Sequence, residues 1–145
     1  MAGWLHGSRR LLHWSVPLDR TAPGGTRAEM STALWLLDPL HPEGRRKVAD
    51  LPGGGWFDGA VAPDDRHVAV TRYVSAAESE VWLIDLASGQ RRRVLPAEGD
   101  TLKASHFVGA LSADGSGLFF ESDRAGEFRE LMRLDLGSGR VARVS

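Results

Sequence analysis

Four serines of this 145-residue chain stand close to glycines: Ser112, Ser116, Ser122 and Ser138. A serine nucleophile on a strand-to-helix elbow needs Gly-x-Ser-x-Gly, because the strained turn has room only for small neighbours. None of the four has glycine at both flanking positions two residues away. The histidines His6, His13, His41, His67 and His106 are scattered and follow no metal-ligand spacing. They read as surface or satisfied core side chains. Gly53-Gly54-Gly55 could cradle a phosphate, but neither Lys-Ser/Thr nor a helical pattern follows it. It reads as a flexible joint. Asp38, Asp85 and Asp135 each close a short apolar run. A carboxylate there accepts backbone N–H groups from the following turn, a structural role rather than a catalytic or calcium-binding one. The expectation is therefore no catalytic residue, no cofactor and no metal.

Composition sets the outer bounds. Hydrophobic content of 42% and charged content of 26% are those of a globular domain, and the length allows one ordinary core. Eighteen Lys and Arg against nineteen Asp and Glu leave a net charge of −1. That gives no electrostatic reason to expect a nucleic-acid or anionic-membrane partner. The absence of cysteine removes disulfides, thiolate chemistry and cysteine-bound zinc. No apolar run reaches the length of a membrane-spanning helix. The N-terminal stretch lacks the basic-then-apolar order of a secretory signal, so a cytoplasmic location is expected, or a periplasmic one if the natural beginning is lost.

The elements that would hold these side chains are short strands. Residues 107–145 read as four of them. Asp114-Gly115 supplies the first turn, since both residues tolerate positive φ. Leu118 to Glu121 is an apolar strand ended by Ser122-Asp123-Arg124-Ala125-Gly126. Leu131 to Leu136 follows, and Gly137-Ser138-Gly139 turns it into Val141-Ala142-Arg143-Val144. Four antiparallel strands in about 40 residues make one propeller blade.

An ungapped shift of 50 positions lays residues 57–95 on 107–145. Phe57, Gly59, Ala60, Asp64, Glu80, Asp85, Leu86, Ser88, Gly89, Arg93 and Val94 recur identically as Phe107, Gly109, Ala110, Asp114, Glu130, Asp135, Leu136, Ser138, Gly139, Arg143 and Val144. Identities gather at turns, where backbone geometry restricts the side chain. Similar residues, such as Val68 with Leu118 and Ile84 with Leu134, gather at core positions. Gly59, Asp64, Asp85, Gly89, Gly109, Asp114, Asp135 and Gly139 are thus structural repeat positions.

Ala33-Leu-Trp-Leu-Leu-Asp38 compares with Val81-Trp-Leu-Ile-Asp85 and Leu131-Met-Arg-Leu-Asp135. A third, divergent blade is therefore expected over about 9–52: a strand from Arg10 stopped by Pro17, a long loop from Asp19 to Met30, a turn region after Asp38 from Pro39 to Gly44, and a closing strand Arg46 to Leu51. Tyr73 to Glu80 reads as a polar connection between strands. Trp35, Trp56 and Trp82 fill the core between blades. Phe107, Phe119 and Phe120 are expected beside a missing neighbour. The chain reads as all-β: a partial β-propeller of about three four-stranded antiparallel blades. They divide as 1–55 for the divergent blade with its loop, 56–105 for the second blade with its connection, and 106–145 for the third.

Ser-x-Asp-Gly, a short apolar strand, Ser-Asp-Arg-x-Gly and then Glu-Leu-x-x-x-Asp-Leu-x-Ser-Gly resembles the WD40-like repeat of TolB. It also resembles the N-terminal propellers of prolyl oligopeptidase-type serine peptidases, which include the dipeptidyl peptidases. Residues 107–145 carry it best. Residues 57–95 depart at Ala62-Pro-Asp-Asp65 and Thr71-Arg72-Tyr73, and their run from Val68 to Asp85 looks closer to the peptidase propellers. The resemblance implies further blades and an α/β-hydrolase domain as partners, and a propeller that gates or positions peptide substrates without catalysing. The alternative is a free-standing TolB-like module that binds protein. Glu78 and Glu80 have nearly the spacing of the paired glutamates by which dipeptidyl peptidases hold a substrate amine. The repeat itself places Glu130 opposite Glu80, so a repeat-structural role is preferred for them.

Overall fold

The computed structural model describes residues 3–16 and 31–145, and among them there is no helix. Twelve strands form three antiparallel sheets of four, each sheet taking its strands in chain order. The first holds β1 (Gly3–Trp4), β2 (Leu11–Ser15), β3 (Ser31–Asp38) and β4 (His41–Pro52). The second holds β5 (Trp56–Val61), β6 (His67–Ser75), β7 (Glu78–Asp85) and β8 (Arg91–Leu95). The third holds β9 (His106–Leu111), β10 (Gly117–Ser122), β11 (Glu130–Asp135) and β12 (Val141–Arg143). Among the described residues no helix is long and apolar enough to cross a membrane.

The middle sheet is buried on both faces, and its sequence shows why. Successive side chains of a strand point to opposite faces. Val68, Val70 and Ile84 point toward the first sheet and form a core with Leu12, Leu34, Leu36 and Leu51. Ala69, Val81 and Leu83 point the other way and pack on Leu118, Phe120 and Leu134 of the third sheet. Central strands of this kind read as nearly continuous apolar runs, as Val68-Ala69-Val70 does. The outer strands β8 and β12 carry exposed arginines instead.

Several local expectations are corrected. The first sheet begins at Gly3 rather than near residue 9, because β1 pairs Gly3 with Leu12 and Trp4 with Leu11. Two residues are too few to show a period. The turn region expected from Pro39 to Gly44 is shorter than that: the chain reverses at Pro39-Leu40, where the Leu40 amide donates to Asp38 Oδ1 at 2.9 Å, and His41 to Gly44 is already strand. Pro42 and Gly44 are tolerated because β4 is an exposed edge, where a missing ladder donor costs little. Tyr73 to Glu80 is also mostly strand. The β6–β7 ladder continues through Arg72–Glu80 and Tyr73–Ser79, leaving Ala76-Ala77 as the reversal. Backbone pairing needs no apolar side chains, so polarity misled there. The strand from Arg10 is β2, and the loop expected between Asp19 and Met30 lies outside the described residues, as does Pro17. Finally, Phe120 does not face a missing neighbour. It is 2% exposed and sits in the core shared with the middle sheet, whereas Phe107 and Phe119 lie on the opposite face of the third sheet.

Candidate functional site: the seams between sheets

The repeat positions occupy turns and bulges. Asp85 Oδ1 accepts from the amides of Ala87 (3.0 Å) and Ser88 (2.8 Å) and from the Ser88 hydroxyl (3.0 Å). Asp135 Oδ1 accepts from the amide (2.8 Å) and hydroxyl (2.9 Å) of Ser138. The amide of Ser88 or Ser138 is the main reason each carboxyl is held below the usual carboxylate range. Asp114 is held lower still, chiefly by the Ser112 hydroxyl at 2.6 Å and then by the Ser116 amide at 3.0 Å. Asp64 Oδ1 accepts from the Arg66 amide at 3.0 Å. Gly89 and Gly139 take φ of 74° and 75° in equivalent hairpins. Gly59 lies in the bulge of β5, and at Gly109 a Cβ would stand 3.0 Å from the Phe119 carbonyl oxygen.

Where these turns gather, a cleft of about 680 Å³ opens between the second and third sheets, lined by Asp64, His67, Asp85, Arg92, Asp114 and Ser116 among others. It is the nearest approach to a catalytic set. Ser88 donates to Asp85 Oδ1, and His67 Nε2 stands 3.4 Å from Asp85 Oδ2. The carboxylate lies between serine and imidazole. Nucleophile activation needs the imidazole in the middle, taking the serine proton. This arrangement orders a turn; it does not activate Ser88.

The remaining candidates are occupied with structure. Glu80 Oε2 accepts the Trp82 Nε1–H at 2.8 Å, with Arg72 and Arg93 each at 3.7 Å. Glu78 pairs with Lys103 at 3.5 Å. His6 Nε2 is 3.0 Å from the Val61 carbonyl oxygen. Among the described residues no three His, Asp or Glu side chains converge as a metal site. His106 is 2% exposed, lies edge-on to Phe120 at 5.9 Å, and has no hydrogen-bond partner on either ring nitrogen. Burial pushes its imidazole below the ordinary histidine value, with the Arg124 charge acting in the same direction.

Sequence reasoning missed the polar clamps between sheets. Ser79 Oγ accepts the His106 amide and donates to its carbonyl, both at 2.7 Å. Thr71 Oγ1 accepts the Val108 amide at 3.1 Å. Asp65, at φ 59°, binds the amides of His6 (2.6 Å) and Gly7 (2.7 Å) in the first sheet. Small polar residues on inward positions of otherwise apolar strands were the available signal for Thr71 and Ser79.

Solved structures decide the architecture. The chain superposes on TolB from Acinetobacter baumannii with a TM-score of 0.56 and 20% identity, over 81% of this chain and 29% of that one. It superposes on prolyl oligopeptidase B from Galerina marginata at 0.66 and 15%, over 97% of this chain and 20% of that one. The β-propeller domain of the Trilobed protease from Pyrococcus furiosus gives 0.62 and 15%, over 98% and 40%. This chain is a run of three propeller blades. Its first, second and third sheets are blades 1, 2 and 3, and it spans about a fifth to two fifths of these structures. No family model and no curated protein matches it by sequence.

Within the propeller, blades 1 and 3 each present one face without a neighbouring blade. On blade 3 that face carries Phe107, Phe119, Glu121, Leu131 and Arg133, the alternates of the residues packed on blade 2. Phe107 is covered in part by Arg129, 4.1 Å from its ring centre, and stands 6.0 Å from Phe57.

Proposed function

We propose that these three blades are the non-catalytic propeller portion of a prolyl oligopeptidase-type serine peptidase, gating or positioning peptides for an α/β-hydrolase domain. The observation that carries this reading is coverage. Peptidase propellers accompany the chain over 97% and 98% of its length, divergent blade 1 included, while TolB accompanies it over 81%. The run from Val68 to Asp85, which looks closer to the peptidase propellers than to TolB, supports the same family. In this reading the chain supplies walls rather than chemistry: Asp85 sits between Ser88 and His67, the order opposite to that of a nucleophile. Its partners are the further blades, the hydrolase domain and a peptide substrate.

The second reading, a free-standing TolB-like module that binds protein, is favoured by the higher identity to TolB, 20% against 15%. The coding sequence after residue 145 separates the two. A hydrolase domain with a Gly-x-Ser-x-Gly elbow, in frame or past a frameshift, supports the peptidase. A stop followed by unrelated sequence supports the module.

A further inference from the structure

The two seams between blades are built from equivalent positions, yet the place that two tryptophans fill in one is left open in the other. In the seam between blades 1 and 2, Trp56 and Trp82 lie 5.9 Å apart, with Arg72 and Arg91 against their rings at 5.3 and 5.8 Å. The Trp82 Nε1–H donates to Glu80 Oε2 at 2.8 Å. The shift of 50 positions replaces these four side chains by His106, Met132, Ser122 and Val141, every one smaller. Phe120 in place of Val70 returns only part of the volume. A cavity of about 250 Å³ remains between blades 2 and 3, lined by Leu95, Pro96, His106, Phe120, Met132 and Val141 among others. Gly139 confirms the looseness: a Cβ on Gly89 would strike the Val48 carbonyl across the first seam, whereas one on Gly139 would meet nothing within 4 Å.

Two buried polar groups are stranded by the same exchange. Glu130, the counterpart of Glu80, keeps its arginine, since Arg143 lies 3.0 Å from Oε1. Its Oε2 is buried with no donor, because Met132 has replaced the indole. His106 occupies the Trp56 position with both ring nitrogens buried and unpartnered. Buried polar atoms without partners are rare in folded proteins and call for an explanation.

We propose that the seam between blades 2 and 3 is a binding site for a flat aromatic ring carrying an N–H donor, of the indole class, which takes the place Trp82 holds in the first seam. The ring packs against His106 and Phe120 and donates to Glu130 Oε2. Glu130 is not itself in the cavity wall; it lies two residues before Met132 on the same face of β11, so the Met132 side chain, unbranched and adaptable, moves aside to open the way to it. The cavity falls just below the roughly 300–1,000 Å³ of pockets for drug-sized ligands, which suits a single bicyclic ring. Asp100 and Arg124 pair at the rim, so the site adds no net charge and selects a neutral ligand. The site stands whether the chain belongs to a peptidase or to a free module.

The test titrates the 145-residue chain with indole and follows the His106 ring and the Glu130 and Met132 amides by NMR. Saturable shifts at these residues are expected. 1-Benzofuran, of the same shape without the N–H, is expected to bind about tenfold more weakly, the loss of one charge-assisted hydrogen bond. N-Acetyltryptophanamide in parallel tells whether a peptide-borne indole is also accepted. Met132→Trp, which restores the blade 2 residue, is expected to abolish indole binding. No saturable shift at millimolar indole, or equal binding of indole and benzofuran, overturns the proposal. The isostere comparison needs only the unaltered chain, so it decides even if the variant fails to fold.

Discussion

At Gly139 the hairpin of blade 3 turns with φ 75°, a region that a side chain with a branched Cβ enters only with strain. Gly139→Val is expected to cost about 1–3 kcal/mol, read as a lower midpoint in urea. Gly89→Val is expected to cost more, because its Cβ also strikes the Val48 carbonyl of blade 1. An unchanged midpoint for both would refute the hairpin placement. A second residue-scale prediction concerns acid. His106 is buried with its folded pKa depressed, so the folded chain binds fewer protons than the unfolded one. Its contribution is fully present above the unfolded value of about 6.5 and falls as the pH drops below it. Asp38, Asp85, Asp100, Asp114 and Asp135 are also depressed, but they act only below about pH 4. Between pH 7.5 and 5.5 the native chain should therefore lose stability, while His106→Phe should stay nearly flat. Equal losses in both would show that His106 is solvated.

At the scale of elements, the strands of blades 2 and 3 were legible because a period of two and repeated Asp and Ser-Gly turns act together. Asp38, Asp85 and Asp135 each end the third strand of a blade. What stayed hidden had no local signature. The two-residue β1 is held by pairing alone, and β4 runs through Pro42 and Gly44 because it is an edge. Phe119 and Phe120 are adjacent phenylalanines, and composition could not say which of them points into a seam. The clamp at Ser79 was hidden for a different reason, since its partner lies 27 residues away in the next blade. Ser79→Ala leaves the amide and carbonyl of buried His106 without partners and should cost about 1–3 kcal/mol. Faster hydrogen exchange confined to β9 would confirm it as a clamp between blades. Uniform acceleration across all three sheets, or none, would contradict that role.

At the scale of the whole molecule, stacked blades each bury a face against a neighbour, and rings of about four to eight blades leave no such face wet. Three blades leave two. On blade 3, Leu131 is 36% exposed beside Phe107 and Phe119, and Phe128 is 80% exposed in the adjoining turn. The isolated chain should bind a hydrophobic dye strongly or self-associate, and added blades should suppress both. A dye-silent monomer would favour the free-standing module.

The most direct test of the peptidase assignment uses a fluorophosphonate that labels activated serines. Native extract is treated with the probe, and the chain is captured with an antibody to residues 56–145. One labelled serine is expected in the captured polypeptide or its bound partner, lying outside residues 1–145, while the purified 145-residue chain takes up no label. Labelling of a serine within residues 1–145, or capture with no labelled serine at all, would contradict the assignment.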